Sequence, residues 1–195
     1  MPGHGVFIPR QPLPVVTSER PNFHPECCLS LSTTTPNQII NVLPSKDALI
    51  LSIGAGSGLL EALMSFAEPS LRIEVVEVSS VNKYMPDEML HTAKGTWEII
   101  SRAKDCDVLM FVYPRHPSLV KKYIDSLDLS ANVQSIVWIG PTYDWEDFKK
   151  SFERSSFTPS NSPIQISPWE LLTINFRTYS CQHPTDDLED ATNVS

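Results

Sequence analysis

The sequence predicts an α/β fold: a doubly wound, mostly parallel sheet with helices on both faces and an antiparallel strand at its C-terminal end. Three observations carry that reading. The segments 107–113 (DVLMFVY) and 133–139 (VQSIVWI) are short, continuously apolar runs, the pattern of strands covered on both sides. A helical stretch, SLVKKYIDSL at 118–127, separates them, as a crossover between parallel strands requires. The run ALILSI at 48–53 leads directly into a glycine cluster and then into LLEALMSF, the order strand, tight turn, helix.

The remaining elements follow in chain order. Residues 1–36 hold six prolines between Pro2 and Pro25 and show no period, so an extended arm lying on the domain is expected there. After the first helix, 72–78 (RIEVVEV) is β-branched and strand-like, and 89–93 reads as a short third strand. The helix between these two strands is expected to be shortened, because 79–88 contains Pro86 and few apolar residues. DWEDFKKSF at 144–152 is a further helix, with Asp144, Glu146 and Asp147 as an acidic first turn. LLTINFRTY at 171–179 is the last strand, paired as a hairpin with 164–167. The acidic stretch 184–195 (PTDDLEDATNVS) has little to bury and reads as a disordered tail, which leaves 37–183 as the domain.

Composition narrows the function classes. A chain of 195 residues with 41% apolar content suits one domain with a real core. A net charge of -8, with no block of Lys or Arg, argues against a nucleic-acid partner. Small molecules or proteins fit better. Cys27, Cys28, Cys106 and Cys181 form no C-x-x-C pair, and adjacent Cys27 and Cys28 are poorly placed for a structural disulfide, which points to a reducing compartment. With no signal-like segment and no stretch of about 18 apolar residues, a cytoplasmic protein without a membrane span is expected. His24 with Cys27 and Cys28 offers too few ligands, too closely spaced, for zinc, so no metal is expected.

The chemistry concentrates after the first strand. Gly54, Gly56 and Gly58 let the backbone turn sharply and approach a ligand, leaving amides at a helix N-terminus free to bind it. Glu77, at the end of the second strand, is placed to accept hydrogen bonds from both hydroxyls of a ribose. The same residue also fits a plain surface carboxylate, but strand, loop, helix, strand and acid in that order favour a ligand. A dinucleotide fingerprint needs glycine at position 59, where Leu59 stands, so an NAD-dependent oxidoreductase is disfavoured.

The G-x-G-x-G spacing with Glu77 resembles the first two motifs of class I S-adenosylmethionine-dependent methyltransferases, whose fold is Rossmann-like. Gly95-Thr96-Trp97 follows the third strand where that family lines the adenine pocket. Asp105 and Asp107 lead into DVLMFVYP, similar to the fourth-strand motif beside the transferred methyl. The likeness spans roughly 47–140. It implies S-adenosylmethionine as cofactor, with Gly54, Gly56 and Gly58 passing it over the sheet edge. Glu77 would hold its ribose, Val78 and Trp97 would flank the adenine, and Tyr113 with Pro114 would face the methyl-transfer site. Ser52 occupies the position of the family's acid for the methionine end.

Tyr113, Arg115 and His116 follow the fourth strand, where open α/β sheets bind ligands. Tyr113 and His116 are the catalytic candidates, to orient or deprotonate a nucleophile, with Arg115 as a carboxylate clamp. The plain alternative is a proline-bounded turn. Methyl transfer to a small-molecule or protein acceptor is the leading function. A methyltransferase-like binding or accessory protein without transfer activity is the alternative, on the strength of Ser52, the reduced helix and the lack of a recognisable substrate cap.

Overall fold

The computed structural model describes residues 7–78, 81–128, 130–160 and 162–178. The chain forms, in order, β1 (Asn22–His24), β2 (Cys27–Leu31), α1 (Thr35–Ile40), β3 (Leu49–Ile53) and α2 (Leu59–Ala67). It continues through β4 (Arg72–Glu77), β5 (Leu90–Thr92), β6 (Val108–Val112), α3 (Pro117–Ser126), β7 (Ser135–Pro141) and α4 (Trp145–Lys149). β8 (Phe157–Pro159), β9 (Ile164–Ser167) and β10 (Glu170–Arg177) complete it.

The central strands are buried on both faces, which is why their sequences run apolar without alternation. The sheet order is β5-β4-β3-β6-β7-β10-β8, with β9 also on β10. β3 is parallel to β4 and β6, β4 to β5, and β6 to β7, while β10 is antiparallel to β7, β8 and β9. The chain therefore leaves β3 to one side for β4 and β5, then crosses back to β6. That reversal opens a crevice past the C-terminal ends of β3 and β6, where such sheets bind ligands.

Two cores lie on the two faces. Ile50, Met110 and Val137 pack with Leu29, Ile39, Leu60 and Met64 beneath the β1–β2 hairpin, α1 and α2. Leu51, Leu109, Phe111 and Trp138 pack with Val120, Tyr123 and Phe148 of α3 and α4. The second core is aromatic: Trp138 stacks at 5.2 Å on Trp145 and 5.3 Å on Phe148, and Phe111 meets Tyr123 edge-on at 5.7 Å.

Three differences from the sequence expectations bear on function. The arm is more than extended coil, because it carries the β1–β2 hairpin, and α1 begins inside it at Thr35. Among the described residues no α-helix joins β4 to β5, and a 3-10 turn at Asp87–Met89 follows Pro86. The β5–β6 connection is likewise a single 3-10 turn, Ser101–Lys104. There an ion cluster takes the place of helix packing. Arg102 donates through Nε and Nη2 to both oxygens of Glu74, at 2.8 and 2.6 Å, and His91 Nε2 lies 2.6 Å from the same carboxylate. The Arg102 guanidinium holds Glu74 below the usual carboxylate range. Cys181 and the acidic stretch 184–195 lie outside the described residues. Among the described residues no helix is long and apolar enough to cross a membrane.

Candidate functional site

The glycine turn begins where β3 ends. Gly54, Gly56 and Gly58 all sit at positive φ, 76, 59 and 76°. A side chain at position 56 would be strained by about 1–2 kcal/mol through φ alone, yet nothing lies within 4 Å of a Cβ built there or at Gly54. The turn thus faces open space on that side. Gly58 differs. A Cβ there would come within 2.7 Å of Met85 Cγ and 2.9 Å of Asn82 Oδ1, so this glycine admits the segment that replaces the missing helix.

Glu77 closes the turn from the neighbouring strand. Its Oε2 accepts from the Gly56 amide at 2.8 Å and its Oε1 from the Val78 amide at 2.7 Å. Each oxygen keeps acceptor capacity for a second donor. The Ala93 amide donates to the Glu77 carbonyl at 2.9 Å, bringing the start of the 93–97 loop to the same corner. Val78 and Trp97 stand there largely exposed, at 43% and 68%. The Trp97 ring folds over Gly95, where any side chain would collide with it at 2.3 Å.

The hairpin roofs the crevice. Ser57 Oγ donates to the Glu26 carbonyl at 2.6 Å, and the Ser57 carbonyl accepts from the amides of Lys83 and Tyr84. The Glu26 carboxylate takes the Lys83 ammonium and the Tyr84 hydroxyl, and both hold it below the usual carboxylate range. The turn between β1 and β2 is therefore fastened to the glycine loop and to the segment beside it.

Beneath the roof lie two carboxylates that the sequence reading missed. Glu61, in the first turn of α2, is 2% exposed and accepts from Ser52 Oγ at 2.6 Å. Burial pushes it up to about 7; the Ser52 hydroxyl opposes the shift and the nearby charge of Glu77 adds to it. Ser52, where an acid was expected, thus holds one by hydrogen bond. Burial and then Glu61 push the Cys27 thiol up to about 12, so it stays protonated.

Glu170, also 2% exposed, gathers three donors at the start of β10. The Tyr113 hydroxyl (2.7 Å) and the Ser30 amide (2.8 Å) reach its Oε1, and the Ser167 hydroxyl (2.6 Å) reaches Oε2. Tyr113 directly follows β6 with φ of 51°, a conformation that costs about 1–3 kcal/mol in a non-glycine residue. Burial, and next the Glu170 hydrogen bond, raise its phenol well above the ordinary tyrosine value. In this structure the Tyr113 hydroxyl is thus protonated and committed to Glu170. Arg115 and His116 are exposed, His116 preceding α3 at its N-cap, with no side-chain hydrogen bond among the described residues.

The structure thus brings Ser52 to Glu61, the glycine turn to Glu77 and Tyr113 to Glu170, with Val78 and Trp97 exposed and His116 exposed at the N-cap of α3. A sequence signal for Glu61 existed: a lone acid inside LLEALM, on a helix whose neighbours are all apolar. Among the described residues no group of three His, Cys, Asp or Glu side chains is arranged to hold a metal.

No protein-family profile matches the sequence, and no curated protein matches it in sequence. Solved structures match it in fold. Precorrin-6y C5,15-methyltransferase from Geobacter metallireducens aligns over 86% of this chain and 100% of its own, with a TM-score of 0.58 and 12% identity. The methyltransferase domain of bacterial CtHen1 aligns over 74% and 98%, at 0.56 and 14%. A SAM dependent methyltransferase from Aquifex aeolicus aligns over 73% and 89%, at 0.54 and 10%. The chain has the class I methyltransferase fold.

Proposed function

We propose that this protein binds S-adenosylmethionine in the crevice past the C-terminal ends of β3 and β6, with Glu77 reaching in from the end of β4, and directs methyl transfer to a small-molecule or protein acceptor. The observation that supports this most is the Glu77 carboxylate, fixed by two amides beside a glycine turn whose Gly54 and Gly56 face open space. Those residues fit a nucleoside with a free ribose edge. When bound, the cofactor supplies a methyl group already activated on a sulfonium, so the chain needs to position an acceptor more than to activate it.

In this reading the backbone at Gly54 and Gly56 allows close approach, and Glu77 accepts from the ribose hydroxyls. Val78 and Trp97 cover the adenine from the rim. Tyr113, held by Glu170, orients the acceptor, and the fastened hairpin excludes water from the same face. His116, exposed at the N-cap of α3 three residues after Tyr113, is the second catalytic candidate in this reading. The free thiols Cys27, Cys28 and Cys106 fit a reducing, cytoplasmic setting.

One observation favours the second reading, a binding protein without transfer: the adenine-side residues Val78 and Trp97 stand exposed and build no closed wall. Calorimetric titration with S-adenosylmethionine, S-adenosylhomocysteine and NAD tests cofactor use. Incubation with labelled S-adenosylmethionine and host-cell extract tests transfer. Binding with label moved to an acceptor is the expected result. Binding without transfer supports the second reading, and a preference for NAD overturns both.

A further inference from the structure

Among the described residues the carboxylates differ in their partners, and Glu19, Glu88, Glu98, Asp144 and Glu153, which form no ion pair, are exposed or half-buried. Glu26, Glu68, Glu74, Asp87, Asp105, Asp107, Asp125, Asp128, Glu146 and Asp147 each meet a Lys, Arg or His. Glu61, Glu77 and Glu170 also appear in none of these ion pairs among the described residues. Glu61 and Glu170 are also 98% buried, the condition in which an unpaired carboxylate is most costly. Among the described residues the one side-chain hydrogen bond to Glu61 comes from the Ser52 hydroxyl, which carries no charge.

The other titratable groups here add no cation. Cys27 feels both Glu61 and Glu170, Tyr113 feels Cys28 and Tyr143, and Cys27 and Tyr113 are held in their neutral forms. Lys83 is occupied by Glu26. Arg115 and His116 are exposed on the loop after Tyr113. Every group that hydrogen-bonds Glu61, Glu77 or Glu170 among the described residues is thus a neutral hydroxyl or amide.

We propose that the crevice selects its cofactor by charge, with Glu61 as the specificity residue: it favours the cationic sulfonium and disfavours the neutral thioether left after transfer. This rests on the cofactor reading above. In the transfer step the acceptor's lone pair forms the new bond to the methyl carbon. The S–CH3 bond breaks with its electron pair remaining on sulfur, and the acceptor proton leaves to solvent. The ligand's net charge falls from +1 to 0, and the attraction that held it falls with it. Loss of one unit of charge beside a carboxylate at intermediate dielectric corresponds to about tenfold or more in affinity. Product release is built into the electrostatics of the site.

The test is calorimetry at pH 8, where Glu61 is ionised, with S-adenosylmethionine, S-adenosylhomocysteine and sinefungin, a stable analogue that carries an ammonium near the sulfonium position. On the unmodified protein, both cationic ligands should bind at least tenfold more tightly than S-adenosylhomocysteine. Glu61→Gln keeps the shape and the Ser52 contact, and should reduce that ratio to about threefold or less. Equal affinity of the three ligands for the unmodified protein overturns the charge proposal and leaves the cofactor reading standing. So does an unchanged ratio in a folded Glu61→Gln. The comparison on the unmodified protein stands even if the variant does not fold. Absence of binding by all three overturns the cofactor reading and the charge proposal with it.

Discussion

Replacing Glu61 by Gln should stabilise the protein at alkaline pH and do so progressively less as the pH falls. The carboxyl group is raised from 4.5 in the unfolded chain to about 7 in the fold. Below 4.5 it is protonated in both states and contributes nothing to the pH dependence. Between 4.5 and 7 the unfolded chain has released the proton and the folded one retains it, so stability declines as pH rises. Above 7 both states are ionised and the full penalty applies, on the order of 3 kcal/mol. Because Glu61 is 2% exposed, solvent screening removes little of this. Gln carries no titrating proton, and any constant penalty from its buried amide is independent of pH. The quantity to measure is therefore the difference in thermal midpoint between variant and unmodified protein from pH 4.5 to 8.5. For a domain of this size it should grow by about 6–12 °C across the window and then level off. A difference that stays flat, or shrinks towards high pH, would refute the assignment of a buried, unpaired carboxylate at Glu61.

Three further outcomes are expected. Glu77→Ala should weaken S-adenosylmethionine binding by about 1.5–3 kcal/mol, the range for hydrogen bonds to a charged group, in a calorimetric titration with circular dichroism unchanged. Gly56→Val should abolish cofactor binding while lowering the thermal midpoint modestly, since its Cβ meets nothing; Gly58→Val should lower the midpoint much further, because Met85 and Asn82 stand in the way. Tyr113→Phe removes the hydroxyl from Glu170 and should lower turnover, once an acceptor is known, with cofactor affinity nearly unchanged; an equal loss in both would place Tyr113 in the cofactor site instead.

Much of the sheet was legible because β3, β6 and β7 are buried on both sides and so announce themselves as uninterrupted apolar runs. The hairpin β1–β2 and the edge strand β8 were not. They are three to five residues long, mixed in polarity and close to prolines, so no period distinguishes them from loop. Within the site, the glycine turn and Glu77 were readable because they lie within one strand–helix–strand unit of contiguous sequence. Glu170 was not, because its donors Tyr113 and Ser30 are 57 and 140 residues away along the chain. Ser52 was read as the loss of an acid. The structure returns a carboxylate to that spot from the next helix, an exchange that only three-dimensional proximity reveals.

The bond from Ser30 to Glu170 also sets when the crevice comes into being. The roof strand emerges from the ribosome early, and the carboxylate that receives its amide follows 140 residues later. At about 5–20 residues per second, that interval is roughly 7–28 s of synthesis. In its later part the glycine turn and Glu77 are already made and hold the hairpin through Ser57, but for the last 57 residues the tyrosine after β6 has no acceptor for its hydroxyl and the Ser30 amide has no carboxylate. A nascent chain stalled before residue 170 would display the glycine turn and Glu77 of the proposed site without the contact between Tyr113 and Glu170. The acceptor side of the proposed site therefore draws on both ends of the fold, where β2 and β10 meet beside Tyr113.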